Sequence, residues 1–323
     1  MELDRWLGIE MRHLAALKAI AEEGTFRAAA TRLGYTQSAV SQQVATLERL
    51  VGAKLIERPG GPRPVFLTDV GTLLLRHTEA IVARLQAAQA DTAAILAGGQ
   101  GTLRVGTYQS VGERILPVLV PGFQAAHLGV EIRLVESESD DDLLAHVERG
   151  DLDLAFALAP LCEGPFAFVK LMSDPWMLLV PANGPMACRK EPVTLQEAAG
   201  LPMIGPRLHR CRMQIDDHFR AEGLEPHYVL RSDENGTVHN MTAAGVGVGV
   251  VPRLAVNPSD ERVVALPLAP DVAPRIVALA WHRDRYRQPT AEAFTEMAST
   301  ICQNLERETG LESGRTERRC PSR

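Results

Sequence analysis

Four polar residues close together, Gln37, Ser38, Ser41 and Gln42, carry side chains that could recognise the edges of DNA bases. A glutamine amide can hold the N6 and N7 edge of adenine with two hydrogen bonds, and a serine hydroxyl can pair with several edges. At 100° per residue, Ser38, Ser41 and Gln42 share one face of a helix, with Gln37 at its shoulder. The predicted chemistry is therefore base readout in a groove of DNA.

Two helices and a turn should precede the helix that carries these side chains. Apolar residues at helical spacing predict a first helix over about residues 7–22. Thr25 is a suitable N-cap for a second helix over residues 26–33, and Gly34 supplies the tight turn that ends it. Two short helices joined by such a turn form a helix-turn-helix, whose second helix enters the major groove.

The third helix should have an apolar face and a polar face. Thr36 can cap it, and Gln43 falls nearer the apolar flank, so Gln43 is not among the predicted DNA contacts. The alternative interpretation is a polar helix face exposed on an ordinary helical bundle. The predicted core stripe consists of Val40, Val44, Leu47 and Val51.

A basic hairpin after the third helix favours DNA binding over that alternative. The segment AKLIERPGGPRPVFLTDVG predicts strand, turn, strand and then helix. Arg58 and Arg63 lie at the tip, where they could contact phosphates or the minor groove. Residues 1–67 are therefore predicted to form a winged helix-turn-helix domain.

These motifs resemble the DNA-binding domain of the LysR-type transcriptional regulators. The matching segments are TF at 25–26, AA at 29–30, TQSAVS at 36–41, LE at 47–48, LIER at 55–58 and LTDVG at 67–71. Thr36, Ser38 and Ile56 are small departures from the family pattern. The resemblance implies that Gln37, Ser38, Ser41 and Gln42 touch double-stranded DNA and that Arg58 and Arg63 lie on the wing.

Residues 68–97 predict one long linker helix that pairs with a second copy of the chain. Apolar and small residues recur with the alternating spacing of a coiled-coil seam, and a lone helix of this length needs a partner. The alternative is a long helix packed on its own domain. The resemblance implies a dimer through this helix, commonly a tetramer, and a contact with RNA polymerase. The seam positions are Leu74, Thr78, Ile81, Leu85, Ala88, Thr92 and Ile95.

Residues 98–306 alternate strands and helices, which predicts α/β structure with mainly parallel sheets. Two lobes are expected, lobe I from about 98–163 and 267–306 and lobe II from about 164–266. Crossings are expected near residues 161–165 and 266–270, and a single helix is expected over residues 110–127. The resemblance implies a two-lobed effector domain like the periplasmic binding proteins.

A small-molecule effector is expected between the lobes, at the carboxyl ends of strands. Helix N-termini at those ends favour an anion such as a carboxylate. The chemical identity of the effector is not determined by the sequence. The candidate effector-binding residues are Tyr108, Gln109, Ser110, Ile204, Gly205, Asp233, Asn235 and Thr237.

Composition and motifs limit which other functions the chain could have. The net charge is −6, but residues 1–66 hold nine basic and seven acidic residues, a net +2 that leaves −8 for the rest. The chain lacks a signal peptide, a long apolar run, a nucleotide-binding glycine motif and histidine pairs at metal spacing, so we expect a cytoplasmic non-enzyme without metal or cofactor. The competing hypothesis is an α/β ligand-binding protein or enzyme whose N-terminal helices only dimerise it.

The five cysteines and the C-terminal tail carry two further expectations. The cysteines are scattered and are expected to be free thiols. A redox-active pair of Cys188 and Cys211 is a less favoured alternative, because nothing near either residue in the sequence would promote a thiolate. Residues 307–323 are polar and are expected to form a disordered tail.

Overall fold

The computed structural model divides into two compact units, residues 1–89 and 90–323. The first unit consists of helices and a small hairpin, and the second contains two five-stranded sheets. The residues that the structure describes are 5–57, 65–96, 101–207, 209–269 and 272–312. Among these residues no helix is long and apolar enough to cross a membrane.

The first unit contains the three expected helices, α1 (Met11–Glu23), α2 (Phe26–Leu33) and α3 (Gln37–Val51). The Oγ1 atom of Thr25 accepts a hydrogen bond from the Ala28 amide at 3.1 Å, and Thr36 caps α3 in the same way. Both predicted caps are confirmed. Helix α1 begins four residues later than predicted, because Glu10 caps it in a reciprocal arrangement with His13.

The core of this unit holds α3 by its apolar stripe. Val40, Val44 and Leu47 are fully buried, as predicted, and the small side chains of Ala29 and Ala30 let α2 pack closely. Strands β1 (Ile56–Glu57) and β2 (Phe66–Leu67) follow and pair antiparallel as the base of the hairpin. The other buried residues of this core are Leu14, Ala16, Leu17, Ala19, Ile20, Phe26, Leu55, Ile56 and Leu74.

A tight junction joins the hairpin to the long helix α4 (Asp69–Leu96). The Thr68 hydroxyl donates to the Lys54 carbonyl at 2.7 Å and accepts from the Gly71 amide at 3.0 Å. A Cβ atom at Gly71 would lie 2.1 Å from the Leu55 carbonyl oxygen, so the backbones approach too closely for any side chain. The residues of the predicted seam along α4 differ in burial. Leu74 and Thr78 are buried, whereas Ile81 and Leu85 are exposed.

The strands and helices of the second unit alternate over most of its length. Its strands are β3 (Thr102–Thr107), β4 (Glu131–Glu136), β5 (Leu154–Ala159), β6 (Phe166–Asp174), β7 (Trp176–Pro181), β8 (Met203–Gly205), β9 (Tyr228–Arg231), β10 (Val248–Pro252), β11 (Val263–Pro267) and β12 (Arg275–His282). Its helices are α5 (Gln109–Arg114), α6 (Leu116–Ala126), α7 (Asp140–Arg149), α8 (Leu195–Ala199), α9 (His209–Ala221), α10 (Asn235–Ala243) and α11 (Pro289–Glu312), with a 3₁₀ turn at Arg253–Ala255.

The sheets define two lobes, and both sheets are mixed. Lobe I has the order β4-β3-β5-β12-β6 and lobe II has the order β11-β7-β10-β8-β9. In each sheet two pairings are parallel and two are antiparallel, so the prediction of mainly parallel sheets is wrong. The strands on either side of the crossings run antiparallel to their neighbours, which needs no helical crossover.

The chain crosses between the lobes about ten residues later than the sequence predicts. Strand β6 pairs with β12 along its whole length and belongs to lobe I, although it falls in the segment predicted for lobe II. The first crossing is therefore at Pro175, between β6 and β7, and not near residues 161–165. The return crossing lies between β11 and β12, close to its predicted position.

Two local features of the second unit also differ from expectation. The helix predicted over residues 110–127 is broken at Ile115 into α5 and α6, because Pro117 in the first turn of α6 has no amide to continue the ladder. Cys162 and Cys302 are not in a disulfide, whereas Cys188 is disulfide-bonded, so the expected free thiol is wrong at Cys188. Burial in the lobe I core raises the pKa of Cys302 to about 12. Cys320 and most of the predicted tail lie outside the described residues.

The cores of the two lobes are linked by the 3₁₀ turn after β10. Leu254 packs among the core residues of lobe I, whereas its neighbour Ala255 packs in a lobe II cluster. The lobe I core is built around Phe123, Phe156 and Phe294, all fully buried. A segment that follows a lobe II strand therefore completes the lobe I core.

Candidate functional site

The first two turns of α3 present polar side chains to the surface. Gln37, Ser38 and Gln42 are exposed and Ser41 is half-buried. The Ser38 hydroxyl lies 3.0 Å from that of the cap residue Thr36. Gln43 is half-buried as predicted, and its amide oxygen is enclosed without a hydrogen-bond partner among the described residues. Helix α3 therefore turns its predicted DNA-contacting residues outward while its opposite face is held in the core.

Glu48 ties the C-terminal part of α3 to the first strand of the hairpin. Its Oε1 accepts from the amides of Leu55 at 2.9 Å and Ile56 at 3.4 Å, and its Oε2 accepts from Lys54 at 2.9 Å. Burial acts to raise the pKa of Glu48, but these hydrogen bonds outweigh it and the pKa is lowered. The carboxylate therefore fixes where the hairpin leaves the helix. The predicted wing contacts Arg58 and Arg63 lie outside the described residues.

A cavity of about 90 Å³ opens between lobe I and lobe II, and five of the eight predicted effector residues line it. The sequence reasoning named these five because they follow the ends of strands or precede a helix. They lie in three short segments, one from lobe I and two from lobe II. They are Tyr108, Gln109, Ser110, Asp233 and Asn235.

The other three predicted effector residues do not line this cavity. Ile204 is fully buried in a lobe II cluster, because its strand has a neighbouring strand on each side. Gly205 packs against the ring of Tyr228, where an added Cβ atom would lie 2.2 Å from Cε1. Thr237 is half-buried but lies outside the lining.

Much of the cavity wall consists of residues that the sequence did not predict to bind the effector. Most of these residues come from strand interiors or from loops that carry no motif, and only the fold brings them together. A charged residue at the start of β12, Arg275, is the weak signal that could have been noticed. The missed residues are Glu138, Asp140, Leu158, Trp176, Ser232, Val238, Val250, Val251, Pro252, Ala255 and Arg275.

A buried ion pair lies where the chain crosses between the lobes. The Arg275 Nε donates to the Asp174 Oδ2 at 2.7 Å, and both side chains are almost completely buried. Arg275 also donates to the Ser110 hydroxyl at 2.7 Å, and the Leu254 amide donates to the Asp174 Oδ1 at 3.0 Å. The pair therefore joins the cavity wall, both crossing segments and the 3₁₀ turn in one hydrogen-bonded network.

A second set of hydrogen bonds joins the lobes beside the cavity. The backbone amide of Asn235 donates to the Gln109 Oε1 at 3.1 Å, and its side-chain Nδ2 donates to the Glu113 Oε2 at 3.0 Å. The Gln109 amide nitrogen lies 3.4 Å from a carboxylate oxygen of Glu234. Two of the predicted effector contacts, Gln109 and Asn235, thus bond to each other across the cleft.

Two of the three helix starts at the cavity carry carboxylates of the chain itself, whereas the first turn of α5 has none. Asp140 opens α7 and accepts from the Leu158 amide at 2.7 Å, and Glu234 occupies the N-cap position of α10. The start of α5 remains without a carboxylate of its own, and the expectation of an anionic effector stays a prediction. Among the described residues no group of acidic, histidine and cysteine side chains could hold a metal ion.

The two units together define a class of protein. A helix-turn-helix with an exposed polar face and a two-lobed α/β domain with a cleft form a DNA-binding head joined to a sensor domain. Two family models match the chain, a bacterial regulatory helix-turn-helix of the lysR family over residues 11–72 and a LysR substrate binding domain over residues 96–303. The chain belongs to the LysR family of transcriptional regulators.

Individual relatives agree with this assignment. The chain is 28% identical to the HTH-type regulator YybE of Bacillus subtilis, over 89% of this chain and 97% of that protein. It is 30% identical to the DNA-binding dual regulator OxyR of Escherichia coli, over 88% and 95%. The fold matches that of full-length CbnR bound to its target DNA with a TM-score of 0.63 and 19% identity, over 90% and 99%. The protein is therefore a DNA-binding transcriptional regulator and not an enzyme.

Proposed function

We propose that the protein binds a two-fold-related promoter site through α3 and the adjoining wing, and that a small molecule in the cleft changes this binding. The observation that carries the proposal is the outward exposure of Gln37, Ser38 and Gln42 on the first two turns of α3. These are the turns that a recognition helix places against base edges. Ser41, Arg58 and Arg63 complete the proposed DNA contacts.

Self-association through α4 would supply the two-fold symmetry. Ile81 and Leu85 lie one helical turn apart and are 46% and 57% exposed, which is unfavourable for apolar side chains on a lone helix. Pairing of two α4 helices would bury them. We further propose that two dimers form a tetramer, that the protein contacts RNA polymerase and that it acts in the cytoplasm.

The effector would act by favouring one arrangement of the lobes. A ligand shifts such an equilibrium only by the difference between its affinities for the two arrangements. In the cleft, it would compete with the bonds of Gln109 and Asn235 and approach the Arg275 network. Tyr108, Ser110 and Asp233 are the other proposed contacts, and no cofactor is proposed.

Footprinting and gel-shift titration on the DNA upstream of the gene test the DNA-binding proposal. Gln42→Ala and Ser38→Ala should each weaken specific binding by about tenfold, the cost of one lost base contact. Gln43→Ala is the matched control, because it removes the same side chain one position along, on the core flank. If the two variants bind like wild type at several salt concentrations, the proposed readout by α3 is wrong.

A further inference from the structure

A small basic cavity lies in lobe I at the opposite ends of strands β5 and β12 from the effector cleft. It has a volume of about 20 Å³ and lies between the end of β12 and the start of α11, beside the residue that precedes β5. We call it the Trp281 notch. Its lining residues are Asp153, Trp281, His282, Arg285, Tyr286, Arg287, Gln288 and Ala291.

The one carboxylate that lines the notch already serves a guanidinium outside it. Asp153 receives the Arg104 side chain on both oxygens, at 2.7 and 3.2 Å, and the Arg104 amide at 2.8 Å. This bidentate geometry is the strong form of a carboxylate–arginine pair. The nearest approach of Arg285 to Asp153 is 4.0 Å, at the limit of an ion pair. Asp153 is therefore committed mainly to Arg104.

Arg287 is held in place without a carboxylate among the described residues. Its guanidinium lies over the Trp281 ring at 4.0 Å from the centroid, and its Nε atom is enclosed with no hydrogen-bond partner in the part of the chain that the structure describes. Stacking on an aromatic face orients the planar guanidinium but leaves the N–H groups at its edge unused. An enclosed donor of this kind favours binding of an acceptor.

The balance of charge around the notch is positive. Arg285 and Arg287 line the notch with one carboxylate, that of Asp153, which is already paired with Arg104, and the Arg285 side chain is only 8% exposed. The nearby acids Asp284 and Glu292 are exposed and do not line the notch. Helix α11, with 24 residues, begins at the notch, and its first amides add to the positive potential.

We propose that the Trp281 notch binds a small oxyanion, a single phosphate or carboxylate group. The planar N–H edge of an arginine matches two oxygens of such a group, and partial burial strengthens the attraction relative to water. A volume of about 20 Å³ admits about one water-sized group, so one or two oxygens of the anion would enter the notch and the rest of the ligand would lie in solvent. This site is separate from the DNA-binding face and from the effector cleft, and it does not depend on the proposed function.

The indole resonances of the three tryptophans, Trp6, Trp176 and Trp281, provide a direct test on the full-length protein. Inorganic phosphate is titrated into ¹⁵N-labelled protein at constant ionic strength with chloride as the balancing anion. We expect the Trp281 indole signal, assigned with Trp281→Phe, to shift saturably while the other two stay in place. A parallel titration with acetate distinguishes a preference for phosphate from one for carboxylate. No saturable shift with either anion, or equal shifts at all three indoles, overturns the proposal.

A pair of arginine variants separates the notch from general surface charge. Arg287→Gln should weaken anion binding by about tenfold or more, the effect of losing one charge-assisted contact. Arg283→Gln removes an exposed guanidinium four residues earlier, outside the lining, and should leave binding unchanged. Equal weakening in both variants would contradict the proposal. The titration of wild-type protein remains decisive even if Arg287→Gln folds poorly.

Discussion

On α3, the side chains of Gln37, Ser38 and Gln42 point into solvent, whereas in the cleft Ser110 and Arg275 are buried and bonded to each other. The helix caps and the core stripe hold α3 without using the proposed DNA contacts. In the cleft, the residues that line the cavity also hold the two lobes together. A ligand of the head therefore meets available polar groups, whereas a ligand of the cleft has to compete with existing hydrogen bonds.

Breaking the buried Asp174–Arg275 ion pair should produce the largest loss of stability. It tests whether the residues that line the cleft also hold the lobes together. Asp174→Ala leaves the Arg275 guanidinium buried without its main carboxylate and should destabilise the protein by about 4 kcal/mol. Denaturant unfolding followed by tryptophan fluorescence measures this, since Trp176 lines the cavity. Asp217→Ala, which removes an exposed partner of Arg220, should cost less than about 0.5 kcal/mol. Equal effects of the two variants would contradict the structural role of the cleft network.

The head should be most sensitive at the junction between the hairpin and α4. Gly71→Ala places a Cβ atom against the Leu55 carbonyl and forces the backbones apart, at an expected cost of about 3 kcal/mol. Operator binding should fall with it, although no DNA contact is removed. Thermal unfolding by circular dichroism and gel shift measure the two effects. Gly101→Ala is the control, because its Cβ atom would meet open space. A stable Gly71→Ala variant that binds DNA normally would show that this junction does not position α3.

The smallest loss of stability is expected from a substitution at Glu48. This residue refines the comparison between head and cleft, because its buried carboxylate gives the head a polar network like that of the cleft. The pKa of Glu48 is lowered below its usual 4.5, so its stabilisation is full above about pH 4.5 and is lost as pH falls through the folded pKa. Glu48→Gln should cost about 1 kcal/mol at neutral pH by weakening charge-assisted hydrogen bonds. That difference from wild type should shrink below pH 4.5. Glu57→Gln, at an exposed position, serves as control, and a difference independent of pH would contradict the role of the charge.

The same contrast explains what the sequence could predict. The positions of α2 and α3, their caps at Thr25 and Thr36 and the outward direction of Gln42 follow from spacing within a few residues. Such local signals survive in a single sequence. The predicted DNA contacts of these residues stay predictions until they are measured.

The arrangement of residues in the cleft depends on long-range contacts that no local sequence pattern encodes. Arg275 bonds to Ser110 across 165 positions of the chain, and Asn235 bonds to Gln109 across 126. The crossing at Pro175 was missed because only one residue separates β6 from β7, so no loop marks the change of sheet. Strand ends could be named from the sequence, but strand interiors such as Val250 enter the cavity wall only through the order of the sheet.

The position of Leu254 has a consequence for engineering sensors from this protein. Because this residue follows a lobe II strand and fills the lobe I core, a chimera that exchanged lobe II alone would open a cavity in the lobe that it kept. A functional graft has to carry the 3₁₀ turn with its recipient lobe, or replace both lobes as one module. Ligand specificity is therefore more safely altered by substitutions in the cavity wall than by exchanging lobe II between relatives.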